Sequence, residues 1–130
     1  MKVFRLSKEA LDKIMNGHVK EPATFVIKFY KPSCHMCNSL SDHYKELAAK
    51  DKYQDKIHFF AVNIEDYLSA ESDLGFEGVP TIVAVRAKGL TPGQYRTEVQ
   101  IMPDPPDNET NPQMWYHPHD MEKFFDKLAR

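Results

Sequence analysis

Two cysteines separated by two residues, Cys34 and Cys37, are the part of this chain best suited to chemistry. They follow an apolar run at 25–30, and Pro32 lies between this run and the first cysteine. From Cys37 to Leu47 apolar side chains recur every three or four residues, as on one face of a helix. The cysteine pair is therefore predicted to lie where a buried strand passes into the N-terminus of a helix.

This position predicts two unequal thiols. A helix N-terminus offers unpaired backbone N–H groups and the positive end of the helix dipole, and both stabilise a nearby anion. Cys34 is therefore expected to ionise more readily than a free cysteine, and the thiolate is the reactive form. Cys37 lies one turn further along the apolar stripe, so it is expected to be more buried. We predict that Cys34 attacks a disulfide and that Cys37 resolves the resulting mixed disulfide.

A second motif gives the cysteine pair a family context. The sequence Gly78-Val79-Pro80-Thr81 precedes an apolar strand pattern. Together with Cys34-His35-Met36-Cys37 at a strand–helix junction, it resembles a thioredoxin. The resemblance implies an α/β fold, a three-layer sandwich with a central mixed sheet and helices on both faces. It also implies a cis bond before Pro80, which faces the cysteines, and a substrate groove shaped by Val79 and Pro80.

The resemblance also implies the partners of the reaction. They are protein disulfide substrates and an electron-donating reductase or small thiol, with no cofactor beyond the Cys34–Cys37 pair. A Cys-x-x-Cys pair can also form half of a zinc site. Two cysteines with histidines of unknown position are a weak zinc signal, and no metal is predicted. The histidines weighed for that site are His35, His43, His117 and His119.

Length and composition restrict the remaining possibilities. With 130 residues, 42% hydrophobic and 28% charged, the chain is expected to form one domain, 1–130, and a soluble monomer. Its net charge of −2 gives no reason to expect binding to nucleic acid or to a membrane. The first residues alternate charged and apolar types, unlike a signal peptide, so a cytoplasmic location is expected.

Hydrophobic patterns predict the elements that position the cysteines. Strands are expected at 2–6, 25–30, 57–64, 81–86 and 94–102, with a turn region at 87–93. Helices are expected from Ser7 to about residue 16, from the cysteines to about residue 50, from Asp66 to about residue 74, and from Pro118 to the end.

Lys28 occupies the position, six residues before the first cysteine, where the family usually has a buried carboxylate. A charged Lys28 would favour the Cys37 thiolate, and a neutral one could act as its base. Alternatively, its stem is buried and its ammonium reaches water at the end of the sheet. The dipeptide His35-Met36 is expected to tune the redox poise, since a protonated His35 would stabilise the Cys34 thiolate and make the disulfide more oxidising.

A long proline-rich loop at about 103–117 departs from the family pattern, because relatives usually join the last strand and helix with a few residues. We expect it to border the active site, since the last strand should return beside Pro80. Ser33 replaces the tryptophan usual before the first cysteine, and Trp115 or Tyr116 could supply an aromatic surface for substrate instead. Trp115 could also simply anchor the loop.

A second function class is a binding module that keeps the fold without turning over disulfides. The unusual Ser33, Lys28 and long loop make it plausible. The presence of both cysteines favours the oxidoreductase.

Overall fold

A five-stranded mixed sheet with helices on both faces is the framework of the computed structural model. The structure describes residues 3–91, 94–106 and 111–130. The strands are ordered β1-β3-β2-β4-β5; β1, β3 and β2 are parallel, and β4 and β5 are antiparallel to their neighbours. In chain order the elements are β1 (Phe4–Arg5), α1 (Lys8–Met15), β2 (Ala23–Tyr30), α2 (His35–Ala48), β3 (His58–Asn63), α3 (Ala70–Leu74), β4 (Thr81–Thr91), β5 (Gln94–Ile101) and α4 (Pro118–Leu128).

The central strand is β2, whose middle five residues are all buried. A strand that is covered on both faces needs apolar side chains on both, and this explains the nearly continuous apolar run at 25–30. Only Lys28 interrupts that run with a charge. The strand ends at Tyr30, just before Pro32, so the chain leaves the sheet at the edge where α2 begins.

Two hydrophobic clusters occupy the two faces of the sheet. On one face α2 and α4 pack around Tyr44, Phe59 and Phe125. On the other face α1 and α3 cover Phe29 and Val83.

The predicted N-cap of the first helix is confirmed. Ser7 accepts a hydrogen bond from the Ala10 amide at the start of α1.

The predicted turn at 87–93 is wrong over its first part. Strand β4 continues to Thr91 because it pairs with β5, with Lys88 opposite Arg96 and Gly89 opposite Tyr95. The register shifts between Gly89 and Thr91, since Gly89 pairs with Tyr95 and Thr91 pairs with Gln94. Residues 92 and 93 lie outside the described part of the chain. The pairing with a second strand supplies the hydrogen bonds that the local sequence could not indicate.

The predicted helix start at Asp66 is also wrong. Residues Ile64–Asp66 form a short 3₁₀ helix, and α3 starts after Ser69. Asp66 instead forms an ion pair with Arg5 at 3.1 Å, a contact between residues far apart in sequence.

The first strand spans only two residues, and the predicted residue Lys2 lies outside the described residues. None of the helices in the described ranges is long and apolar enough to cross a membrane.

Phe125 is the clearest test of the core. Its side chain is fully buried and its ring lies 5.2–6.2 Å, between centroids, from four other aromatic rings. We expect Phe125→Ala to lower the free energy of unfolding by about 3–5 kcal/mol. Phe4→Ala, at a side chain that is 60% exposed, should change it by less than about 0.5 kcal/mol. Urea unfolding of the oxidised protein measures both; equal losses would contradict this account of the core.

Candidate active site

The cysteine pair forms the first turn of α2. Cys34 is the N-cap residue, and its sulfur accepts a hydrogen bond from the Cys37 amide at 3.1 Å. The Asn38 side chain donates to the Pro32 carbonyl at 3.1 Å, which ties the helix start to the end of the strand. Cys34 and Cys37 are joined by a disulfide, with their Cα atoms 5.2 Å apart. The predicted strand–helix junction is confirmed.

The two sulfurs differ in access to solvent. Cys34 is partly exposed, whereas Cys37 is 1% exposed and belongs to the buried face of α2. An attacking thiolate can therefore reach Cys34 and not Cys37. Between them, His35 is exposed and Met36 is half-buried. The greater burial predicted for Cys37 is confirmed, and the roles of the two thiols stay predictions.

The segment before β4 lies against the cysteine pair. The Val79 carbonyl oxygen is 3.9 Å from the Cys34 sulfur, and the Val79–Pro80 bond is cis. The Glu71 carboxylate accepts a 2.7 Å hydrogen bond from the Gly78 amide, so α3 holds this segment in place. Val79 and Pro80 are thus brought to the cysteines as the sequence suggested.

Lys28 lies behind the pair rather than at the surface. Its side chain is 5% exposed, and its Nζ is 5.5 Å from the Tyr30 ring centroid and 5.2 Å from the Tyr44 ring centroid. Lys28 and Cys37 line the same cavity of about 230 Å³. The walls of this cavity also include the exposed residues Arg5 and Lys45, so both interpretations of Lys28 stay predictions.

The surroundings of Lys28 change its acidity. Burial lowers the pKa of Lys28 to about 8, with a smaller lowering from Lys45 and an opposing effect from Asp42. Burial penalises the charged form of an amine, which accounts for the direction. At pH 7 the ammonium is still mainly charged, and this favours the electrostatic role over the role of a base.

The proline-rich loop starts next to the groove. The Met102 amide donates to the Ile82 carbonyl at 2.8 Å, two residues beyond Pro80. Trp115 is partly buried and donates from Nε1 to the Asp104 carboxylate at 3.2 Å, which draws the two ends of the loop together. Residues 107–110 of this loop lie outside the described part of the chain.

Tyr116 does not suit the surface role suggested for it. Its side chain is 1% exposed and packs with α2 and α4. Burial raises the pKa of its hydroxyl to about 12. Direct contact between Tyr116 and a substrate would require it to leave the core, so only Trp115 keeps the proposed role.

Three supporting residues were missed by the sequence analysis: Tyr44, Glu71 and Asn38. Tyr44 gave a partial signal through its place on the apolar stripe of α2. The hydrogen bonds of Glu71 and Asn38 have no sequence signature, because they depend on how a loop folds back.

A metal centre finds no support in the part of the chain that the structure describes. No group of three or more histidine, cysteine or acidic side chains is placed there to hold a metal ion.

Comparisons with known proteins agree with this geometry. Residues 2–101 match the family model described as Thioredoxin. The chain is 34% identical over 77 residues to the Protein disulfide-isomerase A6 homolog of Drosophila melanogaster, covering 59% of this chain but only 17% of that relative.

Solved structures give the same fold. The thioredoxin Mala s 13 of Malassezia sympodialis superposes with a TM-score of 0.65 at 15% identity, covering 98% of this chain and 91% of that one. Chloroplastic thioredoxin z gives a TM-score of 0.64 at 13% identity, covering 98% and 95%. The predicted thioredoxin-like α/β sandwich is confirmed.

The buried Lys28 gives a pH-dependent stability. Its folded pKa of about 8 is below its ordinary value of 10.5, so between these values the unfolded chain binds more protons and stability rises with pH. Lys28→Met should therefore be more stable than wild type below pH 8, by up to about 3 kcal/mol. That advantage should shrink by about 1 kcal/mol per pH unit between pH 8 and 10.

Urea unfolding of both oxidised proteins at pH 7, 8, 9 and 9.5 measures this difference. The comparison of two variants cancels the ionisation of the tyrosines, which both share. An advantage that stays constant with pH would show that Lys28 is not a buried ammonium with a lowered pKa.

Proposed function

Because this chain belongs to the thioredoxin family, we propose that it is a thiol–disulfide oxidoreductase that exchanges the Cys34–Cys37 pair with disulfides of protein substrates. The observation that carries the proposal is the unequal access of two bonded sulfurs. Cys34 is partly exposed beside the Val79 carbonyl, and Cys37 is 1% exposed behind it. This arrangement lets one sulfur meet the substrate and protects the other.

The exchange has two steps. The Cys34 thiolate attacks a substrate disulfide, forms a mixed disulfide and releases one substrate thiolate. The Cys37 thiolate then attacks the Cys34 sulfur, and the bond to the second substrate sulfur breaks. Two electrons pass from the protein dithiol to the substrate, and the protein ends as the disulfide. The amide of Cys37 donates a hydrogen bond to the Cys34 sulfur at 3.1 Å and would stabilise the Cys34 thiolate.

The substrate groove is formed by Val79 and Pro80. The Val79 carbonyl faces the Cys34 sulfur and can accept a backbone hydrogen bond from an extended substrate segment. The hydrogen bond between Glu71 and Gly78 keeps this segment in place without using the groove-facing groups. The amide of Met102, at the start of the loop, donates to the Ile82 carbonyl, so the loop begins two residues beyond Pro80.

We further propose that a reductase or a small thiol returns the pair to the dithiol, in the cytoplasm and with the protein as a monomer. Cytoplasmic thiol buffers keep such pairs reduced. His35, exposed between the two cysteines, would raise the oxidising power of the disulfide when protonated.

Disulfide turnover separates this function from that of a binding module. With dithiothreitol as electron source, wild type should reduce insulin at least about tenfold faster than Cys34→Ser, because the variant lacks the nucleophile. Cys37→Ser, reduced beforehand and freed of dithiothreitol, should instead accumulate a mixed disulfide with insulin on Cys34, visible by mass spectrometry. Cys34→Ser with Cys37→Ser is the control for non-specific adducts. A wild type no faster than Cys34→Ser would favour the binding module.

Trp115 is proposed to contact protein substrates from the long loop. Trp115→Ala should raise the KM for insulin by about fivefold, since buried aromatic contacts carry much of a binding energy. Its rate with oxidised glutathione, which is too small to reach the loop, should not change. Phe4→Ala, on the opposite edge of the sheet, is the matched control. An unchanged KM together with lower stability would identify Trp115 as a loop anchor only.

A further inference from the structure

A buried amine, on Lys28, and a buried sulfur, on Cys37, line one cavity at the start of α2. Cys37 is 1% exposed and Lys28 is 5% exposed, yet both line the same space of about 230 Å³. Building on the proposed function, we propose that the Lys28 ammonium is the counter-ion of the Cys37 thiolate in the resolving step. Lys28 is thus a positioning residue that acts through Cys37 and does not touch substrate.

The other groups near Lys28 leave its charge available. Tyr30 and Tyr44 contribute their aromatic rings, which attract a cation without neutralising it. Arg5, which also lines the cavity, is paired with Asp66 at 3.1 Å. No ion pair among the described residues includes Lys28.

Helix α2 contributes two opposing charges. Lys45 lines the cavity and disfavours the charged form of Lys28, while Asp42 favours it. Both of these side chains are exposed, so solvent screens them more than it screens Lys28. A thiolate formed on Cys37 would share this cavity with the Lys28 ammonium, and unlike charges attract each other more strongly in a partly buried site than in bulk water.

The resolving step shows why a counter-ion matters. Cys37 must lose its proton before it attacks the Cys34 sulfur, and the attack forms the Cys34–Cys37 bond while the substrate sulfur leaves with the electron pair. A buried thiol without a cation ionises less readily. Since the ammonium already carries its proton at pH 7, the Cys37 proton goes to solvent, and Lys28 stabilises the anion left behind. As the new disulfide forms, that negative charge passes to the departing substrate thiolate.

Thiolate absorbance at 240 nm tests the assignment without a substrate. In a Cys34→Ser background only Cys37 contributes, and a variant lacking both cysteines subtracts the tyrosine signal. Adding Lys28→Met should move the midpoint of thiolate formation up by about one pH unit, because each unit corresponds to a tenfold change in the ionisation equilibrium. Lys45→Met is the matched control on the same cavity and should move the midpoint by less than half as much.

Two results would overturn the assignment. One is a shift below about 0.3 pH units with Lys28→Met, which is within ordinary variation of a thiol environment. The other is an equal shift with Lys45→Met, which would indicate a general cationic field. Lys28→Leu serves as the second uncharged variant if Lys28→Met does not give a cooperative urea transition.

Single-turnover reduction of insulin by the pre-reduced protein gives the kinetic counterpart. Mixed disulfide should persist about tenfold longer in Lys28→Met at pH 7, and this difference should fall below about twofold at pH 9.5, where Cys37 ionises without help. A difference independent of pH would reveal a purely structural effect and overturn the proposal. A wild type that never reduces insulin would contradict the proposed function, while the absorbance midpoint would still decide the role of Lys28.

Discussion

The Tyr44 hydroxyl joins α2 to the sheet, and the position of the cysteine pair depends on it. Its oxygen lies 2.8 Å from the Phe60 carbonyl and 3.2 Å from the Val26 carbonyl, so one hydroxyl spans two neighbouring strands. Burial raises the pKa of Tyr44 well above its usual value, which keeps the hydroxyl protonated as a donor. This contact fixes the position of α2 along β2 and β3. The first turn of α2 therefore lies at the carboxyl end of β2, where Cys34 is close to Val79.

The same side chain shapes the interior of the site. The Tyr44 ring forms one wall of the cavity that contains Lys28 and Cys37. A fully buried ring limits how much water can surround the Lys28 ammonium, and desolvation is the main cause of its lowered pKa. The fold therefore places Lys28, at the position where the family resemblance implied a carboxylate, on the wall of the cavity that Cys37 also lines. Under the proposed role of Lys28, the ionisation of Cys37 would depend on how α2 packs on the sheet.

Much of the architecture could be predicted because it depends on neighbours in sequence. The apolar run at 25–30, the stripe beginning at Cys37, and the alternation of β5 each have a clear period, and all three elements form as expected. The failures share a cause. Strand β4 extends to Thr91 through pairing with β5, and Asp66 is taken by Arg5, both of which are contacts between segments far apart in the chain.

The sequence by itself determined the chemistry available: two cysteines at a helix start, the motif ending at Pro80, and a lysine in an apolar strand. Residue type and local periodicity were sufficient for that. Only the tertiary structure decided that Lys28 shares a cavity with Cys37, that Tyr116 is buried, and that Trp115 closes its loop onto Asp104. The physical reason is that burial and electrostatic environment arise from several elements packed together, so no single stretch of sequence contains them.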